Sequence, residues 1–211
     1  MIQDLFIPPL SDSTTQILDL SVQNPNFKPE IYQDMAKFSR FIQDSMGSKR
    51  YGLGGYLEHR KMYESHENFA TGQQDYRNIH LGIDIWAEAG TEVFVPMDGI
   101  IHSFQVNEGS GNYGPTIILA HQIRGERIYS LYGHLSSQDL IGLAPGQKMR
   151  RGQKMAHLGN SFENGGWPPH LHFQLIRDLQ GFVGDYPGVC SQRDLAFYAQ
   201  NCPDPARFVF C

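Results

Sequence analysis

Trp167-Pro168-Pro169-His170-Leu171-His172-Phe173-Gln174-Leu175-Ile176 is the stretch on which the fold turns. Two histidines alternate with apolar residues and an apolar run follows, a pattern that predicts a strand. Residues i and i+2 of a strand point to one face, so both imidazoles project together. A second stretch, His80-Leu81-Gly82-Ile83-Asp84-Ile85-Trp86, asks to be its partner. Read as one strand, it puts His80, Gly82 and Asp84 on a common face. The side-chain-free middle position leaves a hollow between an imidazole and a carboxylate. Side by side, the two strands would make a nitrogen–oxygen cage for a transition metal.

The rest of the chain is consistent with a β-rich protein. Twenty-two glycines and 12 prolines in 211 residues supply many turns. From Arg77 onward, short strands are expected at His80–Trp86, Glu92–Val95, Gly99–Val106, Thr116–His121, Arg127–His134, Lys154–Leu158 and His170–Ile176. Turns at Ala89-Gly90, Met97–Gly99, Gly109–Gly114, Arg124-Gly125, Pro145-Gly146 and Asn160–Gly166 separate them. Before Arg77 a strand is expected over 13–22 and another near Tyr51–Leu57. Between them one amphipathic helix runs from Pro29 to Ser45, because Ile31, Met35, Phe38 and Ile42 recur at helical spacing. After Asp178 the run Ser191-Gln192-Arg193-Asp194 resembles a capping box and starts a short helix that Pro203 stops. Two units are therefore expected. Residues 1–76 form an N-terminal segment packed on the main domain, and 77–211 form a β domain with a helical tail.

Several functions are disfavoured. A net charge of −5 gives no basic footprint for nucleic acid. No 18-residue apolar span predicts a membrane crossing. The N-terminus lacks a basic leader, and Pro8, Pro9 and Asp12 interrupt its apolar start, so a cytosolic chain is expected, or an extracytoplasmic one if a leader was removed. The glycines at 52–55 lack the Lys-Ser/Thr of a nucleotide loop. Cys190, Cys202 and Cys211 have no Cys-x-x-Cys spacing and read as free thiols.

The histidines carry the chemistry. Catalytic zinc typically takes three protein ligands from His, Asp and Glu and keeps a position for water. His80, Asp84 and one of His170 and His172 supply that set, leaving the other histidine to move protons. His134 ends the strand Ile128–His134 behind Gly133, where it could orient the water or donate to an oxyanion. His102, His121 and His157 are expected to be structural or surface residues, and His59 and His66 surface ones.

His80-Leu-Gly-Ile-Asp84, Tyr132-Gly-His134-Leu135 and His170-Leu-His172-Phe173 together resemble the three signatures of the lysostaphin-type zinc endopeptidases. Linking phrases agree: Val95-Pro-Met-Asp-Gly-Ile-Ile101, Asn112-Tyr-Gly114, Leu143-Ala-Pro-Gly-Gln147 and Arg151-Gly-Gln153. The resemblance covers about residues 77–177. It implies a mostly antiparallel β fold of the duplicated hybrid motif kind and one zinc per chain on His80, Asp84 and His172. It also implies a general base at His170, transition-state stabilisation by His134, and hydrolysis of a peptide bond, commonly in peptidoglycan. Where such proteins usually carry small residues before His-x-His, this chain has Gly165-Gly-Trp167-Pro-Pro169, so Trp167 is expected beside the groove. The run Gly166–Leu175, with Gly184-Asp-Tyr-Pro-Gly188 and Ser191-Gln-Arg193, looks like a branch found between a kinase-like phosphotransferase and a class III aminotransferase. Proteins of that branch lack export signals.

Two other functions use the same kind of fold. A binding scaffold would normally lack a ligand, and none is missing here. A phosphocarrier resembling the glucose-specific one would use paired histidines without needing Asp84. His66 or Asn68 of the N-terminal segment could also cover an open metal position.

Overall fold

The computed structural model describes residues 4–65, 69–72 and 75–208. His66, Asn68 and Cys211 lie outside them. The N-terminal part carries β1 (Thr15–Leu18), α1 (Pro29–Tyr32), α2 (Met35–Met46), β2 (Tyr51–Gly54), β3 (Ala70–Gly72) and β4 (Asp75–Tyr76). There follow β5 (Ile79–His80), β6 (Ile83–Trp86), β7 (Glu92–Phe94), β8 (Gly99–Asn107), β9 (Gly114–Ile123) and β10 (Glu126–Gly133). The chain closes with β11 (Lys148–Met149), β12 (Lys154–His157), β13 (His170–Ile176), β14 (Val189–Cys190) and α3 (Leu195–Asn201). The expected mostly β fold, with an N-terminal α/β segment and a C-terminal helix, is what forms.

One eight-stranded sheet organises the molecule, in the order β1-β2-β6-β13-β10-β9-β8-β11. Its neighbours are antiparallel except β1 and β2, which run parallel at the edge. The strands of the N-terminal segment thus extend the same sheet that holds the histidines. Strand β13 is central and buried along its whole length. Its Leu171, Phe173 and Leu175 join Leu53, Ile83, Ile85, Leu119 and Tyr132 in the main core beneath the sheet. Period-two alternation then obliges His170, His172 and Gln174 to face the other side. There α2 presents Phe38 and Ile42, and with Met62, Tyr63, Phe69, Trp86 and Trp167 they form a second apolar cluster.

Two expected elements divide. The stretch 80–86 is not one strand: β5 pairs with β14 in a separate small sheet, whereas β6 lies in the main sheet. The chain breaks at Leu81-Gly82 because His80 is bonded from outside, its N–H donating to the Glu58 carbonyl at 3.0 Å. The helix over 29–45 divides at Gln33-Asp34. Asp34 is in an extended conformation and accepts the N–H groups of Ala36 and Lys37 at 3.0 and 3.1 Å, so it starts α2 afresh as an N-cap. The strand expected over 13–22 shortens to β1.

Candidate functional site

Strand register assembles the site. Gly54, Asp84, His172 and Gly133 line up in one row across β2, β6, β13 and β10, and Gly52, Trp86 and His170 form the next. Gly82 is essential to the packing. A Cβ there would lie 2.7 Å from the Phe173 carbonyl oxygen and 2.8 Å from His172 Nε2, so the expected hollow is filled by the His172 ring.

His80, Asp84 and His172 are brought together, and one ligand atom from each falls within 4.8 Å of the others. His80 Nε2 and His172 Nδ1 are each 3.1 Å from Asp84 Oδ1 and 3.0 Å from one another. The second nitrogen of each ring fixes the tautomer. His80 Nδ1–H donates to the Gly55 carbonyl at 3.0 Å. Gln174 donates its Nε2 to the Pro187 carbonyl, so its Oε1 accepts from His172 Nε2–H at 2.9 Å. Both rings therefore turn a bare lone pair toward Asp84 Oδ1. Three electron pairs converging on one point at these distances call for a cation, and two imidazoles with a carboxylate suit zinc.

His170 and His134 stand beside this cluster, their ring centroids 4.2 Å apart. His170 Nδ1–H donates to the Pro168 carbonyl at 2.7 Å, leaving Nε2 bare and 3.8 Å from Asp84 Oδ1. The ring stacks on Trp86 at 5.4 Å. His134 adopts φ +64°, a left-handed conformation that costs a non-glycine residue about 1–3 kcal/mol. Its N–H donates to the Tyr113 carbonyl at 2.9 Å and its Nδ1–H to the Asn164 carbonyl at 2.8 Å. Among the described residues Nε2 again has no hydrogen-bond partner.

Burial favours the neutral form of His80, His134 and His170. It lowers His80 from 6.5 to about 4, with the Arg60 charge adding to the effect. It lowers His134 far below the usual range, with His170 adding to it, and lowers His170 as well. Burial alone would raise the Asp84 carboxyl. His80 and the permanently charged Arg60 guanidinium hold it well below the usual range instead.

A cavity of about 310 Å³ opens on the cluster. Asp84, His134, His170 and His172 share its wall with Tyr63, Phe69, Tyr113 and Trp167. Trp167 does stand beside the cleft, its Nε1–H donating to the Asn112 carbonyl at 3.3 Å and its ring edge-on to Tyr63 at 6.2 Å.

Among the described residues, His59, His102, His121 and His157 stay apart from the site. His121 is buried between the Asp98 carbonyl and the Ser130 hydroxyl. His157 pairs with Asp139, His102 with Ser103, and His59 is exposed. Cys190 and Cys202 are free and buried. Sequence reasoning missed Gln174 as the holder of His172, although its i+2 position on the same face could have indicated it. It also missed Arg60, Glu58 and Tyr63, for which no spacing signal exists.

Residues 78–182 match the family model described as Peptidase family M23. Peptidoglycan DD-endopeptidase ShyA of Vibrio cholerae is 34% identical over 97 residues, which are 46% of this chain and 20% of that protein. The chain thus spans about a fifth of that curated relative. A zinc containing peptidase from Vibrio cholerae is similar at 27% identity, covering 46% of this chain and 27% of its own, with a TM-score of 0.37. The catalytic domain of lysostaphin from Staphylococcus simulans is also 27% identical, covering 57% and 80%, with a TM-score of 0.36. Among the described residues no helix is long and apolar enough to cross a membrane.

Proposed function

With residues 78–182 matched to Peptidase family M23 as the premise, we propose that this chain is a zinc-dependent peptidase that hydrolyses a peptide bond. The observation that carries the proposal is the convergence of His80 Nε2, His172 Nδ1 and Asp84 Oδ1, with both ring N–H groups spent on acceptors behind them. These three residues would hold one zinc per chain. Zinc, when bound, supplies a Lewis acid that polarises a carbonyl and acidifies water.

The chain's own side chains do the rest. His170 Nε2 is bare, neutral and at the cavity wall. It takes a proton from the attacking water and passes it to the amine that leaves. His134 Nε2 is bare too, so it orients that water by accepting from it. Donation to an oxyanion would need a proton at Nε2 that burial disfavours. Tyr63, Phe69 and Trp167 wall the cleft, exclude water and orient the peptide.

Peptidoglycan peptides are the first substrate class to test, supported by the name of the Vibrio relative. The run Gly166–Leu175 supports a narrower placement, in the branch that lies between phosphotransferase and aminotransferase domains, and there the substrate would be a different peptide.

The test is zinc content near neutral pH, where the imidazoles are free to ligate, for the parent chain and His80→Ala, followed by a peptide panel that includes peptidoglycan fragments. One zinc per chain, lost in the variant, with cleavage of a panel member, is the expected result. A parent chain that takes up no zinc would overturn the peptidase and leave a binding scaffold.

A further inference from the structure

Asp84 has two carboxylate oxygens, and the cluster uses one. Oδ1 faces His80, His172 and His170, while Oδ2 turns away and accepts from Arg60 Nη1. Arg60 is fully buried and lies in the N-terminal segment, outside the residues matched to the family. We infer that Arg60 is a positioning residue that occupies Asp84 Oδ2 so that Oδ1 alone is presented to the metal. The N-terminal segment thereby completes the metal centre. The inference rests on the metal centre proposed above.

Arg60 is itself held through its backbone, Nε and Nη1. Its backbone N–H donates to the Asn78 carbonyl at 2.8 Å, which pins it next to β5. Its Nε donates to Glu58 Oε2 at 2.6 Å, and its Nη1 also reaches the Tyr63 hydroxyl at 3.2 Å. Glu58 is fixed in turn, because its Oε1 accepts the Leu20 N–H at 3.1 Å. Among the described residues Nη2 has no hydrogen-bond acceptor, and the Trp86 ring centroid is 5.9 Å from the guanidinium carbon. Gly54 makes the room: a Cβ there would lie 2.7 Å from Nη2.

This arrangement is costly for stability alone. Burying an ion pair carries a desolvation penalty that well-packed apolar side chains avoid. What a guanidinium adds is geometry, a planar fork with fixed donor directions. Glu58 takes Nε and Asp84 Oδ2 takes Nη1, so Oδ2 is tied to a donor whose direction Glu58 helps to fix. A carboxylate free to turn could offer both oxygens to a cation; this one offers Oδ1.

The experiment compares the zinc-loaded full chain with Arg60→Met and Arg60→Lys. Zinc affinity is read by competition with a chromophoric chelator, ligand geometry by the visible band of the cobalt(II) form, and folding by circular dichroism. Loss of an outer partner of a ligand typically weakens metal binding about 10–100-fold, and that is expected of folded Arg60→Met, together with a moved cobalt band. Arg60→Lys keeps a buried cation, but a point charge lacks the separate, fixed N–H directions that reach Glu58 and Asp84, so its affinity should fall and its band should move too. Unchanged zinc affinity and an unchanged cobalt band in folded Arg60→Met would overturn the inference. Should Arg60→Met fail to fold, the same two readings on Arg60→Lys decide it. A parent chain without zinc affinity would overturn the metal centre itself, and this inference with it.

Discussion

Two buried histidine sites differ in how their lone pairs are used. At His121, Nδ1–H donates to the Asp98 carbonyl at 2.9 Å, and Nε2 lies 2.6 Å from Ser130 Oγ, which also touches the Tyr132 hydroxyl at 3.0 Å. Both nitrogens have partners and the network is closed. At His80, His134, His170 and His172, one nitrogen of each ring donates backward; the other faces Asp84 Oδ1 in His80 and His172 and is left bare in His134 and His170 among the described residues. Burial is common to both sites; the unspent lone pairs are what set the proposed metal centre apart.

The comparison breaks first at His170. His170→Ala should keep its zinc and lose about 10²–10⁴ in kcat, the usual contribution of a general base. Parallel metal analysis and peptide hydrolysis would show it, and loss of zinc in this variant would make His170 a ligand instead.

Acid comes next. His80 falls from 6.5 to about 4, and burial also lowers His134, His170 and His121. The unfolded chain protonates these rings near 6.5, so between the two values it binds more protons than the folded one. Stability of the metal-free protein is therefore full above pH 6.5 and drains as the pH falls toward about 4. Thermal unfolding across that window should record a falling Tm, and saturating zinc should displace the fall to lower pH. A flat Tm would mean that the rings are not buried as neutral groups.

Gly82→Ala should cost about 1–3 kcal/mol in urea unfolding through overpacking and should weaken zinc binding, since the new methyl meets His172. The smallest expected effect sharpens the contrast. His121→Leu leaves the Ser130 hydroxyl and the Asp98 carbonyl without their ring partner, at about 1–3 kcal/mol, yet zinc content and kcat should stay at parent values.

Much of the centre is legible in one dimension because strand periodicity dictates it. His170 and His172 alternate with Leu171 and Phe173, and that alternation alone puts both rings opposite the core. The glycine of His-x-Gly-x-Asp also reads correctly as space, although a ring fills it. What resists reading is whatever depends on a neighbour distant in sequence. The break at Leu81-Gly82 follows from backbone bonds to Glu58 and Gly188, and no local propensity announces it. The break at Asp34 was readable as an N-cap, but a helical apolar spacing that ran through it hid the signal. Two-residue strands such as β11 and β14 are too short to carry a period. Arg60 stands 24 positions before Asp84, and nothing in the spacing of charges tells which cation will come to lie behind which carboxylate.

The parallel pair at the sheet edge bears on portability. A fragment cut at residue 77 would keep all three signature motifs and lose two strands of the main sheet. It would remove β1 and β2 and turn β6 from a covered strand into an open edge, an invitation to intermolecular pairing. The same cut would take away the wall formed by Tyr63 and Phe69. A boundary drawn where the sequence likeness ends therefore runs through the middle of one sheet, and any grafting or fusion of the proposed site would have to carry residues from β1 onward.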